Sequence, residues 1–139
     1  AIEPSTALCA AGRTEVPEAT WVEASWSADV VFDNWFRSVV MAHSLHHIAD
    51  RDALAKFVAR KLFPGGFWIL LEPRHGWRRA AHLVRSWWRD LRHLPWDTYG
   101  ATHHFITRGE MRHLARVGGF RIVSTNRTPR ATWWVLEKR

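Results

Sequence analysis

The stretch from Phe36 to Pro73, FRSVVMAHSLHHIADRDALAKFVARKLFPGGFWILLEP, constrains the fold more than any other part of the chain. Phe36 to His43 is an apolar run of strand length, rich in β-branched residues, and it stops abruptly at the polar cluster His43, Ser44, His46 and His47. Asp50 can cap a helix whose apolar positions Leu54, Phe57, Val58 and Leu62 share one face, and whose last turn carries Arg60 and Lys61 where the macrodipole favours cations. Pro64-Gly65-Gly66 is expected to end that helix in a glycine turn. Phe67 to Leu71 then reads as a strand buried on both faces, closed by Glu72-Pro73. Strand, helix, turn and strand make a βαβ unit, hence a parallel sheet, with its ligand crevice outside the carboxyl ends of the strands.

Three pieces of this stretch, AHSLHHI after the first strand, the helix ending RKLFPGG, and the strand WILLEP, resemble in that order the second half of the class I S-adenosylmethionine-dependent methyltransferases, type 11-like. The resemblance implies an α/β fold with a Rossmann-like sheet ordered 3-2-1-4-5-7-6. It extends to both ends of the chain. Ala1-Ile2-Glu3-Pro4-Ser5 is similar to the end of the second strand, where an acidic side chain accepts hydrogen bonds from the ribose hydroxyls; Glu3 takes that place. Read without the resemblance, Ser5 caps a helix Thr6 to Gly12 and Glu3 is a solvated acid.

The Gly-rich loop that follows the family's first strand does not precede Glu3. The sheet is therefore expected to be partial, with its first strand absent, in a chain that either is a fragment starting at the second strand or has lost the central one. A gap would then separate the strands ending at Glu3 and His43.

Thr20 to Ala24 reads as a short third strand, and residues 29–34 as a connecting loop. By the resemblance, Ser25 and Trp26 face the adenine, the first as a weaker substitute for an acid and the second as a stacking surface, although a tryptophan also serves as packing. The fourth strand delivers Ala42 and His43 toward the cofactor, with His47 beyond them. His43 and His46 are the candidates for a catalytic base, because an imidazole titrates near neutrality. Adjacent histidines without a cysteine or acidic companion do not match a metal-ligand pattern. The cofactor implied is S-adenosylmethionine and the acceptor a small molecule; quinone-type acceptors enter only by analogy.

From Arg74 to Ile106 the chain is expected to form a helical, lid-like insertion within one partial methyltransferase domain spanning 1–139. Trp77, Ala81, Val84, Trp88 and Leu91 recur on one helical face, with arginines elsewhere. Lys and Arg number 6 against 9 acidic residues in 1–73, and 14 against 4 in 74–139, so the halves carry −3 and +10. Such asymmetry admits an anionic partner for the basic helix Arg74 to Arg92, a membrane surface, or a nucleic acid, alongside the simpler reading of a solvated basic surface.

Thr107 and Glu110 form a capping box for a helix with Met111, Leu114 and Ala115 on its core face, ended by Gly118-Gly119. Phe120 to Thr125 and Thr132 to Leu136 resemble the family's sixth and seventh strands. The single cysteine, Cys9, is expected to be a small buried hydrophobe. Strand-sized apolar runs and the lack of a signal sequence point to a cytoplasmic protein. Three readings are open: a small-molecule methyltransferase, a non-catalytic remnant or partner-binding domain of the same fold, and a basic nucleic-acid-binding module.

Overall fold

A computed structural model of the chain describes residues 1–28, 30–73, 106–129 and 131–139. Of the lid-like insertion expected at 74–106, with its basic helix, all but Ile106 lies outside the described residues. Strand β1 (Ile2–Glu3) is followed by α1 (Thr6–Glu15) and by β2 (Val22–Glu23), which pairs parallel to β1. Ser5 caps α1 by accepting from the Leu8 amide at 3.3 Å, and Cys9 on the helix is fully buried. The helix runs one turn beyond the expected Gly12.

Strand β3 (Phe36–Ala42) leads through a 3-10 turn at Leu45–His47 into α2 (Arg51–Lys61), with Asp50 accepting from the Ala53 amide at 2.9 Å as its N-cap. Strand β4 (Leu62–Pro73) runs parallel to β3, then come α3 (Arg108–Val117), β5 (Phe120–Arg127) and β6 (Ala131–Lys138). β6 lies antiparallel between β4 and β5, giving a four-stranded order β3-β4-β6-β5. The β1–β2 pair is a separate two-stranded sheet, and among the described residues no strand lies between β1 and β3. In the family's numbering this is 3-2, a gap, then 4-5-7-6, the partial sheet the sequence implies.

Two local expectations are corrected. Pro64-Gly65-Gly66 does not end the helix: α2 stops at Lys61, Leu62 already pairs with Phe36, and residues 63–66 bulge out opposite Arg37 before Ser38 pairs with Phe67. Gly65 supplies a φ of 75°, and a Cβ at Gly66 would lie 2.8 Å from the Phe63 carbonyl oxygen, so the bulge needs both glycines. Nor is β4 buried equally on both faces. Trp68, Leu70 and Glu72 point into the core and are essentially sealed, whereas Phe67, Ile69 and Leu71 on the other face keep partial exposure. The reason is that α2 and α3 pack on the same side of the sheet.

That core joins Leu54, Ala55 and Val58 of α2 and Met111, Leu114 and Ala115 of α3 to Trp68, Leu70, Trp134 and Leu136 of the sheet. Burying side chains of this size is worth about 1.5–3 kcal/mol each, which makes this layer the main source of stability. At the amino-terminal end of β3, buried Lys61 donates to the Val31 carbonyl and to Asp33 Oδ1, both at 2.7 Å, and pins the preceding loop to α2. Lys61 is thus an internal anchor, beyond the dipole-neutralising role its position suggests.

Candidate active site

The carboxyl ends of β3 and β4 are held level by their register, in which Ala42 pairs with Leu71 and the His43 amide donates to the Leu71 carbonyl at 2.8 Å. His43 then adopts a left-handed conformation, φ 53°, and turns the chain sharply out of the strand. A non-glycine residue there costs about 1–2 kcal/mol, a strain that structures retain where a site needs it. The side chain of His43 and the neighbouring Ala42 are exposed at the mouth of the sheet.

The next turn is clamped from two sides. Glu72, 1% exposed at the end of β4, accepts from the amides of Ser44 (3.2 Å) and Leu45 (2.9 Å) through Oε1, and Oε2 faces His46 Nδ1 at 2.6 Å. From the other side Arg51 Nε donates to the Leu45 and Ile48 carbonyls at 3.3 and 3.2 Å, while its guanidinium pairs with Glu110 of α3. Glu110 also closes the capping box with Thr107, so the start of α3 and the turn after β3 share one network. His46 is buried, and its ring lies 4.1 Å, centroid to centroid, from that of partly buried His47.

The structure therefore brings Ala42, His43, His46 and His47 together and adds Glu72, which sequence reasoning took only as the close of a strand. Its signal was present in the alternation Trp68, Leu70, Glu72, which places the carboxylate on the buried face of β4.

The other predicted residues sit on the β1–β2 side. Glu3, at the carboxyl end of β1, accepts from the Ser5 amide at 2.9 Å with Oε1; among the described residues Oε2 has no partner. Ser25 is exposed and hydrogen-bonded to Ser27 at 3.0 Å. Trp26 packs edge-on against Phe57 of α2, with centroids 5.6 Å apart, so it joins the two parts of the chain. An acidic oxygen open at a strand end suits ribose hydroxyls, so this donor set is compatible with a nucleoside-bearing cofactor. Among the described residues no cluster of three metal-ligating side chains occurs.

Parallel β3 and β4, an antiparallel β6 and the order 3-2, a gap, then 4-5-7-6 are those of a class I methyltransferase-type α/β fold. The chain belongs to the methyltransferase domain family, whose profile matches residues 5–125. Among solved structures it is similar to a SAM-dependent methyltransferase from Methanosarcina mazei, at 18% identity and a TM-score of 0.76, covering 99% of this chain and 80% of that one. An S-adenosylmethionine-dependent methyltransferase from Mesorhizobium loti aligns at 17% identity and a TM-score of 0.70, covering 99% and 78%. At these identities the likeness speaks for the fold. No curated protein matches the chain. Among the described residues no helix is long and apolar enough to cross a membrane.

Proposed function

We propose that this domain transfers a methyl group from S-adenosylmethionine to a small-molecule acceptor at the carboxyl ends of β1, β3 and β4. The observation that carries this reading is His43, held in a left-handed conformation at the end of β3 with the following turn clamped by Glu72 and Arg51. Glu3 would hold the ribose, Ser25 and Trp26 would flank the adenine, and Ala42, His43 and His47 would line the rest of the cofactor. When bound, the cofactor supplies an electrophilic methyl group on a sulfonium. The protein's part is to align the acceptor, exclude water and receive a proton, and in this reading His43 and His46 are the candidates for the last role. Residues 74–106 act in this reading as a lid over the acceptor, within one domain in the cytoplasm, and the arginines of 74–92 offer a surface to anions.

Isothermal titration of the chain with S-adenosylmethionine tests the assignment. Saturable one-to-one binding, weakened at least tenfold by Glu3→Ala, is the expected result; heat-silent titration at millimolar cofactor contradicts it. A second reading, a non-catalytic domain of the same fold, draws support from the open edge of β3, where Val40 is 64% exposed and no described strand pairs. Under that reading the titration is silent while the fold is intact.

A further inference from the structure

We propose that the hollow beside the bulge at 63–66 is a binding site for a small planar aromatic carboxylate, its ring held by Phe63 and Phe67 and its charge paired with Arg37. The site lies at the amino-terminal end of β3 and β4, about 20 Å along β3 from His43. It is separate from the candidate active site and does not depend on the methyltransferase reading.

The pairing of the two strands builds the hollow. Leu62 is the partner of Phe36 and Phe67 that of Ser38, so residues 63–66 stand opposite Arg37 alone and loop out of the ladder. They leave a cavity of about 470 Å³, lined by the whole bulge together with Arg37, Ser38 and Phe67. That is a ligand-sized space, since small-molecule pockets run from about 300 to 1,000 Å³. Ser38 and Phe67 are neighbours in a parallel ladder and project to the same face, the one opposite α2 and α3.

The lining selects the ligand. Phe63 is 45% and Phe67 39% exposed. One exposed phenyl is ordinary, but two in a single concavity offer ring faces and edges to a third ring. Arg37 is exposed as well, and among the described residues its guanidinium has no ionic or hydrogen-bonding partner. No acidic side chain lines the cavity, so one positive charge stands unmatched there. A guanidinium fork fits a planar carboxylate through two parallel bonds, and the Ser38 hydroxyl can donate a third. A dianion such as a phosphate monoester would leave half its charge uncompensated, a cation is repelled, and an aliphatic acid forgoes the ring contacts.

Titration of the 15N-labelled chain with naphthoate, naphthylmethanol and naphthylmethylammonium tests the assignment, because the three probes share a ring system and differ in charge. Naphthoate should shift the Gly65, Gly66 and Ser38 amides with a Kd of about 1 mM or tighter, and the neutral and cationic probes should bind at least about tenfold more weakly. Arg37→Gln should abolish that preference, and Arg37→Lys should restore only part of it, for want of the fork. Phe63→Ala should weaken naphthoate and the alcohol alike, by about fivefold or more. Both positions are exposed, so the urea midpoint of each variant should match that of the parent chain, which separates lost binding from lost fold. Bulge amides that stay still at about 10 mM naphthoate overturn the proposal, as does equal affinity for the three probes, and neither result needs a variant. Shifts confined to the carboxyl ends of β3 and β4 overturn it by placing the ligand elsewhere, and a carboxylate preference that survives Arg37→Gln overturns the pairing with Arg37.

Discussion

Replacing Glu72 by alanine should be among the most damaging single substitutions in the domain, and the size of the effect can be worked out bond by bond. The Leu45 amide is buried and loses its acceptor, at a cost of about 1–3 kcal/mol. The charge-assisted bond from His46 Nδ1 is worth a further 1.5–3 kcal/mol, roughly, in a site sealed from water. The Ser44 amide is only part-buried and its bond is 3.2 Å long, so water recovers most of that contribution. Together these come to about 2.5–6 kcal/mol, a large share of the about 5–15 kcal/mol that holds an ordinary domain together. Glu72→Gln, which keeps both amide bonds and loses only the charge, should cost about 1–2 kcal/mol. Urea unfolding followed by tryptophan fluorescence measures both, provided the slope with denaturant is unchanged, so that the midpoint reports stability. If alanine costs no more than glutamine, the two backbone amides do not depend on this carboxylate and the account of the clamped turn is wrong.

His43→Gly should raise stability by about 1 kcal/mol, because glycine adopts the left-handed conformation without the penalty, while methyl transfer weakens. A destabilised variant in the same urea assay would mean that the histidine side chain repays its own strain. Gly66→Ala places a Cβ 2.8 Å from the Phe63 oxygen and 3.1 Å from the Arg37 oxygen, both backbone atoms, and should cost about 1–3 kcal/mol. A melting temperature equal to that of the parent chain would show that the bulge at 63–66 rearranges freely.

What the sequence made legible follows the strength of its periodic signals. The helix after Asp50, the capping box at Thr107 and Glu110, and the core face Met111, Leu114, Ala115 all stand where spacing and capping chemistry put them. The gap in strand order was also expected, because the resemblance sets the strands ending at Glu3 and His43 on either side of the family's first strand, and among the described residues no strand lies between them. The Pro-Gly-Gly segment was misread since a turn and a wide bulge demand the same residues. Only the long-range pairing of Leu62 with Phe36 distinguishes them. Lys61 was read only for its charge at a helix end and Glu72 only as the close of a strand, because each lies at a terminus, where local pattern shows no partner; each is buried with a partner 26 to 30 residues away.

The same parity that hid Glu72 explains how the fold makes the site. Side chains on β4 alternate, so Trp68 and Leu70 bind the strand to the helical layer, and the next position on that face is the carboxylate. The parallel pairing of Ala42 with Leu71 sets the end of β3 level with it, so the first residues past β3 meet Glu72. A slip of one residue in the β3–β4 register would carry Glu72 to the opposite face and replace it in the core by Leu71 or Pro73, which accept nothing from Leu45 or His46 through their side chains. The hydrophobic burial of Trp68 and Leu70 resists that slip. Core packing is therefore what fixes the geometry of the His46–Glu72 pair, and a core substitution such as Leu70→Ala should disturb the imidazole through register and packing, seen as a shift of the His46 ring resonances.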